Sequence, residues 1–228
     1  MHRHAPLFIA LLTLLAACGN PAPSPTPRTP TPGPTPTPIP TPPPDTLTVQ
    51  VKGVGIGAYD LVAVPVAILH NAAARHGAAM VVVHFTTSGP SGTHSLDSIP
   101  VNLAPGETLP VTADCTDACT GANNAAATLT VGTWVPTSGA TLRSSGVGYQ
   151  CNGCGSHAHG DVTGTLEATL GNGAAVEAFA SCSTASGAIV GGGSQELVWP
   201  GTPTHAVDVP VIVSAQPQTC MLGASTGW

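Results

Sequence analysis

Charge is the scarcest property of this chain. Only 7% of its 228 residues are Asp, Glu, Lys or Arg. From Asp45 onward three basic residues, Lys52, Arg75 and Arg143, face eleven acidic ones, a balance of −8. That leaves no basic footprint for nucleic acid and no polybasic patch for a membrane surface. Aromatic residues are few, at 4%. The longest apolar run, Leu7 to Ala17, is eleven residues broken by Thr13, too short to span a bilayer as a helix. Beyond it no sustained 3.6-residue apolar period appears, which argues against a helical bundle. The HExxH motif, the P-loop and the EF-hand loop are also missing. Mean hydropathy is nevertheless positive. So little charge implies a surface made largely of Thr, Ser, Asn, Gly and backbone.

What is present begins with an address. Residues 1–17 read as a signal peptide, with His2, Arg3 and His4 before the apolar run. The following Leu15-Ala-Ala-Cys18-Gly19 resembles a bacterial lipobox. The resemblance implies cleavage before Cys18 and acylation of that cysteine, a multi-chain anchor rather than a span. The bilayer is then a partner through Cys18, on the extracytoplasmic side. Gly19 is not an inner-membrane retention residue, so in a diderm cell the outer membrane or cell surface is the expected location. An ordinary secretory peptide is the alternative. Residues 18–44 form a linker. Thirteen of the 24 prolines and six threonines lie between Pro21 and Pro44. Such a segment favours polyproline II and could reach roughly 80 Å at about 3.1 Å per residue.

From Asp45 to Trp228 the chain reads as all-β. Short Val/Thr/Ile-rich runs are punctuated by Gly, Pro and Asn. Strands are expected at 46–51, 61–69, 78–86, 95–101, 108–113 and 126–134. A second set is expected at 147–151, 161–170, 174–182, 188–190, 195–198, 205–213 and 218–224. Gly191-Gly-Gly193 reads as a flexible turn. The two sets share landmarks. Asn71 and Asn172 sit in matching turns. Pro105-Gly106 matches Pro200-Gly201, and Trp134 matches Trp228. The expected domains are therefore two tandem β-sandwiches, 45–136 and 145–228. One larger sandwich with accessory strands is the alternative.

Leu103-Ala-Pro-Gly-Glu-Thr-Leu-Pro-Val111, and the strand-and-turn pattern of residues 161–224, resemble bacterial extracellular modules of the FxLYD or CARDB-like kind. These are immunoglobulin-like β-sandwiches. The resemblance implies adhesion, scaffolding or protein interaction, with envelope proteins or surface-layer components as partners.

Seven cysteines are present, six of them beyond Cys18. An even number in an exported chain suggests disulfides, with fifteen pairings formally open. Local geometry prefers Cys115 with Cys119 and Cys151 with Cys154, leaving Cys182 with Cys220. The Cys151-Asn-Gly-Cys154 motif as a redox pair, or with Cys115 and Cys119 as a zinc site, are the competing readings.

Chemistry, if any, rests on histidine. In His157-Ala-His159-Gly-Asp161 a strand period of two places His157, His159 and Asp161 on one face. Such a set suits copper or zinc; the plain alternative is a polar loop entering a strand. The fragment resembles pieces of exported copper/zinc superoxide dismutases. The likeness stops there: only His205 follows His159, and the last Arg is Arg143. His84 and His94 are further imidazoles that another loop would have to bring to such a metal. Asp114 and Asp117 are a weak calcium pair. Glu167 and Glu177 are expected on neighbouring strands. The sequence thus points to a non-catalytic envelope lipoprotein without a required cofactor, with a copper- or zinc-dependent enzyme as the alternative.

Overall fold

The computed structural model describes residues 44–115, 119–136, 142–152 and 159–226. Cys18, Asp117, Cys154, His157 and Trp228 lie outside them. The described residues belong to one compact unit, built from thirteen strands: β1 (Val49–Tyr59), β2 (Val62–Asn71), β3 (His76–Gly89), β4 (Gly92–Asp97), β5 (Val101–Leu103), β6 (Thr108–Thr112), β7 (Asn124–Pro136), β8 (Arg143–Cys151), β9 (His159–Glu167), β10 (Ala175–Ser183), β11 (Ile189–Val198), β12 (Thr204–Val213) and β13 (Thr219–Thr226). The all-β expectation holds.

Every pairing between these strands is antiparallel. One sheet runs β1-β2-β6, and a second places β3 between β7 on one side and β4 and β5 on the other. A third runs β13-β10-β11-β12-β9-β8. Its end strands approach each other, and the Ser144 hydroxyl donates to Leu222 O at 2.7 Å. This sheet is therefore nearly closed into a barrel. Its β11–β12 link is short, limited to Gly191↔Val213 and Gly192↔Ile212.

The pairing order repeats along the chain. In the first half the first, second and fifth main strands (β1, β2, β6) form one sheet. In the second half β8, β9 and β12 run in the same order. The third strand of each half, β3 or β10, pairs the next strand on one side and the last on the other. The matching Pro-Gly turns also share geometry. Gly106 and Gly201 have φ of 70° and 76°, left-handed values that favour glycine, and each turn precedes the fifth strand.

The β1-β2-β6 sheet lies in the middle. Ala63–Ala67 of β2 are buried in succession, as expected of a strand covered on both faces. One face carries Ala67, Leu69, Leu109 and Val111 into a core with Val81, Val83, Phe85, Val101 and Leu103. The other face meets β11. Here β1 offers Gly53, Gly55 and Gly57. A Cβ on Gly55 would fall 2.5 Å from the Ile189 Cβ, and one on Gly57 would fall 2.0 Å from Ile212 O. A Cβ on Gly192 would meet Ala180 O at 2.3 Å and the Val66 side chain at 2.9 Å. The backbones approach too closely for any side chain.

This contact corrects the reading of Gly191-Gly-Gly193. These residues are buried inside β11. They mark a close crossing of backbones rather than a flexible turn. The same cause explains why β1 extends beyond 51 through its alternating glycines. The strands up to Pro136 form two of the sheets and those from Arg143 onward form the third, but buried contacts cross between the two sets. Phe179 of β10 joins the core of the first set, and the Ser225 hydroxyl accepts from Asn102 N at 2.8 Å.

Two of the expected disulfides lie wholly within the described residues, Cys115–Cys119 and Cys182–Cys220. Cys182 and Cys220 face each other directly in the β10–β13 register. A cross-link over 38 residues stabilises by about 2–4 kcal/mol. Cys151 is also disulfide-bonded; its expected partner, Cys154, lies outside the described residues.

At one end of β2, fully buried Asn71 ties three segments together. Its amide donates to His76 O and Ala104 O at 2.9 and 3.0 Å, and its Oδ1 accepts from Ala73 N at 3.1 Å. The Asp45 carboxylate lies on the same β2–β3 connection and accepts from Ala74 N and Arg75 N, while its Oδ2 lies 2.7 Å from His76 Nδ1. The hydrogen bond to His76, followed by those to the backbone, holds the Asp45 carboxyl down at about 2. The Glu107 carboxylate folds back onto Ala104 N. Burial pushes its pKa up to about 7.

Two predictions follow from this architecture. Gly57→Ala places a methyl against backbone that cannot yield, so thermal unfolding should show a loss of about 3 kcal/mol or more. Because the folded pKa of Glu107 exceeds its unfolded value, its contribution is fully present below about pH 4 and fades as pH approaches 7. Glu107→Gln should therefore be more stable than the parent by about 2–3 kcal/mol at pH 8 and equal to it at pH 4.

Candidate functional site: a groove between the middle sheet and the barrel

A groove of about 460 Å³ opens where β2 faces the barrel. Val62 and Val64 of β2 form one wall, and Pro210, Val211 and Ile212 of β12 form another. Gly192 and Gly193 lie in its lining, where neighbouring backbone leaves no room for a side chain. Polar groups come from both halves of the chain: Asp114 after β6, Asn152 after β8, His159 and Asp161 on β9, and Ser194 on β11.

The sequence placed His159 and Asp161 on one face of a strand, and both line this groove. They are held locally. The Asn152 amide donates to Asp161 Oδ2. The Asn152 backbone N–H donates to His159 O at 3.3 Å, and the Tyr149 hydroxyl reaches the same carbonyl at 3.4 Å. Tyr59, at the tip of the β1–β2 hairpin, meets the His159 ring edge to face at 4.3 Å between centroids. Burial, and then the negative charge of Asp161, raise the Tyr149 phenol above its ordinary value. His157 lies outside the described residues. Among the described residues no three His, Cys, Asp or Glu side chains converge as a metal site.

Negative charge gathers at the groove. Glu177 on β10 faces Glu196 on β11 directly across the ladder, an unfavourable like-charge pairing. Burial pushes the Glu177 carboxyl up. A hydrogen bond with Ser194 opposes this, while the charges of Glu196 and Asp114 reinforce it. Sequence reasoning missed Asn152 and Ser194, whose place depends on strand order. Glu167 and Glu177, expected on neighbouring strands, are separated in the sheet by β12 and β11. The crossover from β9 to β10 carries them apart.

The other histidines serve elsewhere. His84 Nδ1 lies 2.7 Å from Asp97 Oδ1, and its Nε2 lies 3.2 Å from Thr130 Oγ1. Carboxylate, imidazole and hydroxyl thus stand in the order of a nucleophile relay. Yet the His84 and Asp97 side chains are 39% and 62% exposed on an open sheet face. Water competes for each group there, and the three form a cross-strand polar ladder. His94 Nε2 is buried and has no hydrogen-bond partner among the described residues. His205 packs edge to face against Trp199 with ring centroids 5.8 Å apart. Trp199 is fully buried, and its indole N–H donates to Thr202 O at 2.9 Å.

Glu177 gives a direct test of the groove's electrostatics. Its raised folded pKa means that its contribution to stability is lost as pH rises. Glu177→Gln should be stabilised over the parent at pH 7.5 by about 0.5–1 kcal/mol, and the difference should vanish by pH 3. Urea unfolding at the two pH values measures it. No protein-family model, curated protein sequence or solved structure matches the chain.

Proposed function

We propose that this chain is a lipid-anchored protein of the cell envelope, held by acylated Cys18 and a Pro/Thr-rich spacer, whose folded part binds or scaffolds other envelope components. Two immunoglobulin-like sandwiches in tandem form that folded part. The repeated strand order supports this duplication, as do the paired Pro-Gly turns. The observation that carries the binding role is the groove built jointly by both halves. It lies toward the Tyr59–Val62 end of the β1–β2 hairpin.

The metal-dependent oxidoreductase reading uses His157, His159 and Asp161; His159 and Asp161 line one groove, and His157 lies outside the described residues. Among the described residues no third ligand joins them.

Cys18→Ala should abolish incorporation of labelled palmitate into the chain in growing bacteria; continued incorporation rules out the anchor. Metal analysis of the purified chain should find copper and zinc well below one equivalent. A full equivalent lost in His159→Ala would replace the binding role with the enzyme reading.

A further inference from the structure

The groove combines two surfaces that one kind of group satisfies together. Its walls are aliphatic at Val64, Pro210 and Ile212, and carboxylates enter from both halves at Asp114 and Asp161. Of the three basic residues beyond Asp45, none lines it. Glu177 and Glu196 add a like-charge pair beside Ser194. A lysine or arginine side chain has this double character, with a methylene stem that packs on apolar surface and a charged head that seeks carboxylate. A volume of about 460 Å³ holds one such side chain together with part of the backbone that carries it.

We propose that the groove receives a cationic side chain from an extended segment of a partner protein, its stem against Val64 and Ile212 and its charge between Asp114 and Asp161. The inference rests on the binding role proposed above and names the partner's chemistry. Tyr59 and Leu61 at the hairpin tip are exposed apolar groups near this wall, and they supply contact area for residues flanking the cation. The asymmetry of charge also favours capture: a chain with a balance of −8 from Asp45 onward attracts a basic segment before contact.

Calorimetric titration of the full chain in detergent micelles tests the proposal, with tetralysine and its Nζ-acetylated form as probes. Tetralysine should bind, and acetylation should weaken binding at least tenfold. Asp114→Asn and Asp161→Asn should each weaken it about tenfold, while Asp208→Asn, on β12 but outside the groove, should leave it unchanged. Thermal unfolding of each variant establishes that it is folded. Equal binding of the acetylated probe would overturn the proposal, as would no binding of tetralysine. An equal loss in Asp208→Asn would assign the attraction to the chain's general charge and overturn it too. Binding of calcium chloride that depends on Asp114, without binding of tetralysine, would replace it with a metal-ion site. None of these outcomes bears on palmitate labelling at Cys18, so failure here is separable from failure of the envelope assignment.

Discussion

The structure depends on one close contact between backbones. Gly55 and Gly57 of β1 lie against Ile189 and Ile212, and Gly192 of β11 accommodates Val66. Sheets stacked through side chains stand about 10 Å apart; here that layer is locally absent. Two consequences follow. The middle sheet is buried on both faces, and the two strand sets share buried contacts such as Phe179 and the Asn102–Ser225 pair. The groove opens beside the seam, with Gly192 and Gly193 in its lining.

Scarcity of charge fits this arrangement. The stretch of β2 that is covered on both faces has no solvent side for charged residues, and β2 reads Val-Ala-Val-Pro-Val-Ala-Ile-Leu. Two buried polar groups do defined jobs: Asn71 satisfies a turn and two carbonyls, and the Trp199 indole finds Thr202 O. The like-charged Glu177 and Glu196 instead oppose one another across the β10–β11 ladder. Local conflict of this kind is expected where a site matters more than stability.

Much of the fold was legible residue by residue. Alternating Val and Thr placed nearly every strand, and the cysteine count with local spacing anticipated Cys115–Cys119 and Cys182–Cys220. Glycine was misread at 191–193, because the same residue serves loose turns and tight crossings. Only the partner strand tells these apart, and it lies elsewhere in the sequence. Strand periodicity places His159 and Asp161 on one face, and both line the groove. Asp114, Asn152 and Ser194 were not linked to them, since the groove arises from the packing of β2 on β11 and β12. Pattern along a strand reports a face; it does not report what that face meets.

The central claim is that the glycine seam makes the two strand sets fold as one body. Differential scanning calorimetry of the full chain tests it most directly. The account predicts a single transition beyond Asp45 with a calorimetric enthalpy equal to the van't Hoff enthalpy. Two resolved transitions, each with the enthalpy of about half the folded residues, would contradict it.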